Sequence, residues 1–128
     1  MDLKSTLMVF NEADVQSGPG IVKGQSVKRL AGNPQHPSEK VMVSLASFKP
    51  GTLEKLHWHL IEASYYVMSG RAIMRDIEGK TYNIGPGSII YVPSGIEGSH
   101  EWDIQEELRM IGFHASTDPE KMIHNYVM

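Results

Sequence analysis

The sequence predicts an all-β fold of the sandwich or barrel kind. Short runs of β-forming residues show a period of two, as in the segment where Val41, Val43 and Leu45 alternate with their neighbours. Glycine and proline separate these runs at short intervals, for example GPG at 85–87 and PSG at 93–95. Many short strands between turn residues are typical of antiparallel barrels and sandwiches.

Only the C-terminal segment has the sequence of a helix. Thr117 or Asp118 can cap it, Pro119 suits its first turn, and Glu120 places an acid near the positive end. We therefore expect a short helix of about two turns there.

Composition limits the classes of protein to consider. The 128 residues are enough for one domain, 1–128, and the hydrophobic share of 41% and charged share of 21% are those of a globular protein. A net charge of -3 with no basic cluster argues against nucleic-acid binding. The N-terminus does not read as a signal peptide and no apolar run reaches the ~20 residues of a membrane span, so we expect a cytoplasmic protein.

The absence of cysteine leaves imidazole, carboxylate or amide groups to hold any metal. His57 and His59 flank Trp58, and residues two apart on a strand point to the same face. Two imidazoles side by side can therefore converge on one ion at about 2.0–2.1 Å per nitrogen.

Two longer motifs surround this pair. Gly51, five residues, HWH at 57–59 and then YVMSG at 66–70 resemble the first motif of the cupins. GSIIYVPSG at 87–95, followed by His100, resembles the second. The resemblance implies a single double-stranded β-helix, the jelly-roll cupin barrel, with the short helix at its C-terminus. It also implies one divalent metal on His57, His59 and His100.

The sequence departs from these motifs at two positions. Ala63 stands where the first motif usually has a ligand glutamate; Glu62 is next to it and is a further candidate ligand if a bulge turns it inward. Gly98 stands where the second motif usually has its histidine, and His100 follows two residues later with the same facing. The implied site then has three neutral imidazoles and no protein carboxylate.

This three-histidine pattern resembles the cupins that cleave β-diketones with Fe(II). It implies a non-haem dioxygenase acting on a small enolisable diketone or phenolic substrate, with Fe(II) favoured over Zn, Mn, Ni or Cu. Two alternatives stay open: a redox-neutral metal-dependent isomerase, cyclase or lyase, and a non-catalytic small-molecule-binding cupin.

No catalytic residue can be assigned from the sequence, but three side chains are candidates for the pocket. Tyr65 shares the parity of Ala63, His114 ends an alternating strand, and Trp102 follows His100 by two. Fold analogy further predicts a homodimer, for which the segments 25–30 and 122–128 are the candidate interface.

Overall fold

The structure is a computed structural model that describes residues 2–127. Within this range the chain forms nine β-strands, and every pair of neighbouring strands is antiparallel. The strands are β1 (Gly18–Pro19), β2 (Gln25–Ala31), β3 (Met42–Phe48), β4 (Leu53–Trp58), β5 (Ala63–Asp76), β6 (Thr81–Ile84), β7 (Ile89–Val92), β8 (His100–His114) and β9 (Asn125–Tyr126). The predicted all-β class is confirmed.

The two longest strands, β5 and β8, organise the sheet. They pair from Ala63 opposite His114 to Asp76 opposite His100. On its other edge β8 pairs first with β4 and then with β3, while β5 pairs with β7 and β6. The main strand order of the sheet is β1-β2-β3-β8-β4-β9, and β5, with β6 and β7, joins it through β8. The sheet curls around one interior.

The interior is filled by the inward-facing residues of the long strands. Alternate positions of β5 and β8 are buried, and Val67 and Leu108 have no exposed surface. This period of two is the pattern that predicted the strands, and it places one face of each strand in the core.

Gly70 lies where β5 and β8 approach most closely. Its φ is 92°, and a Cβ at this position would overlap the backbone of Glu107. The pairing of β5 with β8 shifts register around this point, between Val67 and Ala72. A glycine is therefore required here for both its dihedral angle and its lack of a side chain.

The C-terminal segment differs from the predicted two-turn helix. It forms a single 3₁₀ turn, Pro119–Met122, capped by the Asp118 side chain, which accepts the Glu120 N–H at 3.0 Å. The turn ends early because the chain then pairs with β4 as β9. The cap and the proline were predicted correctly, whereas the length was not.

The two segments predicted to form a dimer interface both pair within the chain. The first, 25–30, lies between β1 and β3, and part of the second forms β9; Met128 lies outside the described residues. The homodimer itself stays a prediction. In the described part of the chain, no helix has the length and apolar character needed to cross a membrane.

Candidate metal centre

Three histidines lie together inside the barrel, at one end of β4 and β8. His57 pairs across the sheet with His100, the first residue of β8, and His59 follows the end of β4. Their ring centroids are 4.3 Å (57 to 100), 5.8 Å (59 to 100) and 6.4 Å (57 to 59) apart. All three side chains are buried. The backbone N–H of Gly95 donates to the carbonyl of His59 at 2.9 Å, which ties the second glycine-rich motif to the first.

Each of the three rings is held by a hydrogen bond from Nδ1 to a backbone carbonyl. The acceptors are Lys55 for His57 (2.6 Å), Ile61 for His59 (2.7 Å) and Gly98 for His100 (3.0 Å). A carbonyl only accepts, so Nδ1 carries the proton in each case and Nε2 has a free lone pair. This arrangement orients a histidine whose Nε2 coordinates a metal.

Burial keeps these imidazoles neutral near pH 7. It lowers the pKa of His57 to about 4, helped by the neighbouring His124, and that of His100 to about 3, helped by His57. Burial also lowers the pKa of His59. A neutral imidazole is the form that binds a metal ion, so protons do not compete at physiological pH.

The three side chains fit a divalent metal. Nε2 of His59 is buried and has no hydrogen-bond partner among the described residues. A buried nitrogen lone pair left without a partner costs free energy, which coordination to a cation would recover. The predicted ligand set of His57, His59 and His100 is thus brought together, but as a ligand set it stays a prediction.

A carboxylate enters the cluster from a position that the sequence did not indicate. Glu54 lies on β4 three residues before His57, a spacing that would send the two side chains to opposite faces of a regular strand. The pairing of β4 with β8 shifts register between these residues, so three steps on β4 match two on β8. The resulting bulge turns both side chains inward, and Glu54 Oε1 lies 3.6 Å from His57 Nε2.

The C-terminal segment supplies a second unpredicted group, His124. Its ring stacks on His57 with centroids 4.1 Å apart, and its Nδ1 is hydrogen-bonded to Glu54 Oε1. Tyr126 pairs with His57 across β4 and β9, which fixes the segment in place. One potential ligand atom from each of Glu54, His57 and His124 lies within 4.8 Å of the others, so this group is also a possible metal site.

Glu62 lies outside the barrel, on the solvent-exposed face. It is exposed, and its Oε2 accepts the Tyr91 hydroxyl at 2.5 Å. The register of β5 with β7 is regular from Ala63 to Tyr66, so no bulge turns this carboxylate inward. Ala63 faces the interior instead. The bulge that turns a carboxylate inward lies at Glu54, not at Glu62.

The three predicted pocket residues line one cavity together with His57 and His100. The Tyr65 hydroxyl lies 3.3 Å from His114 Nε2, and burial raises the pKa of this tyrosine. Burial, followed by the nearby His59, lowers the pKa of His114 to about 4. The Trp102 indole packs edge-on against Tyr65 and is itself buried. The cavity has a volume of about 790 Å³, and residues of the N-terminal segment and of the turn at 33–36 also line it.

Sequence reasoning missed Glu54 and His124 for different reasons. A search for residues of matching parity around the HxH pair excludes Glu54, because only the bulge corrects its facing. His124 lies 65 positions or more from the HxH pair, and no local pattern predicts where a C-terminal segment folds. A search for every carboxylate within a few residues of the pair, whatever its parity, would have retained Glu54.

Several solved structures superpose on this chain over most of its length. Polyketide cyclase RemF from Streptomyces resistomycificus superposes with a TM-score of 0.80 at 18% identity, over 96% of this chain and 87% of that one. A variant of oxalate decarboxylase from Bacillus subtilis gives 0.72 at 20% identity, over 98% of this chain but only 34% of its own. A variant of salicylate 1,2-dioxygenase from Pseudoaminobacter salicylatoxidans gives 0.64 at 15% identity, over 74% and 26%.

At these identities the superpositions establish the fold alone. No curated protein sequence matches the chain significantly. The family model "Cupin domain" matches residues 44–113, which is more than half of the chain and includes both glycine-rich motifs and the histidine cluster. The predicted barrel is confirmed, and the chain belongs to the cupin domain family.

Proposed function

We propose that the protein is a metal-dependent enzyme that acts on an enolisable carbonyl substrate in a redox-neutral reaction, such as a cyclisation or isomerisation. The observation that carries this proposal is the buried carboxylate of Glu54, hydrogen-bonded to His124 and 3.6 Å from His57 Nε2. A site that abstracts a proton beside a carbonyl needs a positioned base near a group that polarises the oxygen.

His57, His59 and His100 would hold the metal through Nε2. The bound ion would supply Lewis acidity toward a carbonyl oxygen. Glu54 is the group placed to accept the proton, and its hydrogen bond to His124 orients the carboxylate. The barrel wall excludes water from this end, because the three histidines and Glu54 are all buried.

The Tyr65 hydroxyl would donate a hydrogen bond to a substrate oxygen. Burial raises its pKa and keeps it protonated, and in the tautomer with the proton on His114 Nε2 that nitrogen donates to the Tyr65 oxygen, which leaves the hydroxyl hydrogen for the substrate. The fold of the polyketide cyclase RemF matches over almost the whole of both chains, which supports a single small barrel as a sufficient scaffold for such chemistry.

A second candidate is the Fe(II)-dependent dioxygenase that the sequence favoured. One observation favours it: Glu62 stays outside the barrel, so the cluster lacks the glutamate of the usual first motif. Against it stands Glu54, since the site is not free of carboxylates. The two candidates differ in whether oxygen is consumed.

The test is a comparison of oxygen uptake with proton exchange. Protein purified without oxygen is analysed for metals and then loaded with Zn or Fe(II). It is offered a panel of aryl monoketones and β-diketones in D₂O, and exchange of the protons beside the carbonyl is followed by NMR. We expect catalysed exchange with Zn and no oxygen uptake. If the Fe(II) protein consumes oxygen and the Zn protein catalyses no proton exchange, the protein is the dioxygenase instead. Metal binding without either reaction would indicate a binding protein.

A further inference from the structure

One side of the cavity, away from the histidine cluster, carries a positively charged side chain. Gln25, Val27 and Arg29 share one face of β2, and all three line the cavity. Arg29 is the one lysine or arginine among the described residues that line it. The neighbouring Lys28 points the other way, where its Nζ lies 3.4 Å from Glu12.

The position of Arg29 is set by the register of four strands. Arg29 pairs with Ser44 on β3, Ser44 pairs with Gly112 on β8, and Gly112 pairs with Tyr65 on β5. These four residues form one row across the inner surface of the sheet. At about 4.8 Å between neighbouring strands, the row separates the backbones of its two ends by about 14 Å along the sheet.

Gly112 leaves space in this row for the neighbouring aromatic side chains. A Cβ here would lie 3.0 Å from a ring carbon of Tyr65 and 3.3 Å from a ring carbon of His114. The glycine therefore makes room for both polar side chains on the path between Arg29 and the histidine cluster. The charge of Arg29 is close enough to His114 to contribute to the low pKa of that imidazole.

The guanidinium of Arg29 has no ion-pair partner among residues 2–127. The nearby cations on the outer face differ in this respect, because Lys28 and Arg109 both pair with Glu12. Asp14 also lines the cavity, but its Oδ2 accepts the backbone N–H of Asn11 within a capping box. An unpaired guanidinium facing a cavity is suited to bind a carboxylate in two parallel hydrogen bonds.

We propose that Arg29 determines substrate specificity by binding a carboxylate of the substrate at the end of the cavity remote from the histidine cluster. The substrate class is then an enolisable carbonyl compound that carries a carboxylate on the side away from its carbonyl. This inference rests on the proposed function, because it takes the histidine cluster as the end where the carbonyl binds.

The test uses two probes of the same shape, 4-(3-oxobutanoyl)benzoic acid and its primary carboxamide. The para substituent is too far from the diketone to chelate the same ion, so any preference for the acid reports a separate contact. Binding to Zn-loaded protein is measured by titration calorimetry at low salt for the wild type, Arg29→Gln and Arg29→Lys. Metal content and melting temperature are measured for each variant.

We expect the wild type to bind the acid about tenfold more tightly than the amide, the factor that corresponds to about 1.4 kcal/mol. Because Arg29 is exposed on one side, this preference should decrease at high salt. Arg29→Gln should remove the preference while leaving the affinity for the amide unchanged. Arg29→Lys should keep part of it, since a point charge remains but the two parallel bonds do not.

Two results would overturn the assignment of Arg29 while leaving the proposed function intact. They are equal affinity of the wild type for both probes, and a preference for the acid that survives in Arg29→Gln. Failure of the wild type to bind either probe would contradict the proposed function as well. The affinity for the amide separates these cases and also reports whether a variant is still folded.

Discussion

Acidification below about pH 6.5 should destabilise the metal-free protein, because its buried histidines resist protonation. Burial lowers the pKa of His57 and His114 to about 4 and that of His100 to about 3 in the folded state. In the unfolded chain each returns to about 6.5. Between these values the unfolded state binds more protons, so the free energy of unfolding decreases as the pH falls below about 6.5.

The decrease in the free energy of unfolding depends on how far the pH of the measurement lies below about 6.5. At pH 5 each of the three histidines is still neutral in the folded state, and about 1.5 pH units at 1.36 kcal/mol per unit give about 2 kcal/mol per histidine. The three together should cost about 6 kcal/mol. This is comparable to the whole stability of a small domain, which is about 5–15 kcal/mol.

Urea denaturation in the presence of a chelator, at pH 7.5 and pH 5.0, measures this loss. With a slope of about 2 kcal/mol per molar urea, the midpoint should fall by about 3 M. His114→Gln is the matched variant: it removes one of the three groups without touching the predicted ligands, so its loss between the two pH values should be smaller by about 2 kcal/mol.

Wild-type midpoints that agree within about 0.5 M at the two pH values, a difference of about 1 kcal/mol, would contradict this prediction. So would a loss of stability on acidification in His114→Gln as large as that of the wild type. The first result would mean that the imidazoles are solvated enough to be protonated in the folded state. The second would exclude His114 as one of the titrating groups.

Glu54→Gln should lower the rate of substrate proton exchange by about 10²–10⁴-fold while the protein keeps its metal, because a positioned base is lost. The control, Glu62→Gln, should change neither the exchange rate nor the metal content. Loss of metal from Glu54→Gln would instead identify Glu54 as a metal ligand. His100→Ala should abolish metal retention, measured by elemental analysis after dialysis, and full retention would contradict the three-histidine set. Gly112→Ala should displace Tyr65 and cost about 1–3 kcal/mol through overpacking, seen as a lower melting temperature; an unchanged melting temperature would show that the ring moves freely.

Much of the barrel could be predicted because its determinants are local. The period of two in β5 and β8, and the glycines and prolines between the strands, depend on neighbouring residues only. The same is true of the HxH pair, because strand geometry alone places both imidazoles on one face. Gly70 shows the limit of such reasoning: it is recognisable as a motif residue, but its contact with the Glu107 backbone appears only when β8 is in place.

The helix at the C-terminus was predicted too long for a related reason. Asp118 and Pro119 do start a turn, as their side chains dictate. The conformation of the chain after this turn depends on pairing with β4, which lies far earlier in the sequence. A propensity for helix over a few residues contributes little free energy compared with strand pairing and burial of His124 against His57.

The sequence by itself predicted the family, the barrel and three of its interior histidines, His57, His59 and His100, because motif spacing and strand parity are properties of short stretches of chain. Only the tertiary structure decided which carboxylate joins them and that His124 stacks on His57. Glu62 is adjacent to the position where the first motif has its glutamate, yet a regular register keeps it outside; Glu54 has the wrong parity, yet a bulge brings it in. Register is set by how two distant strands pair, and one residue of shift reverses every side chain beyond it.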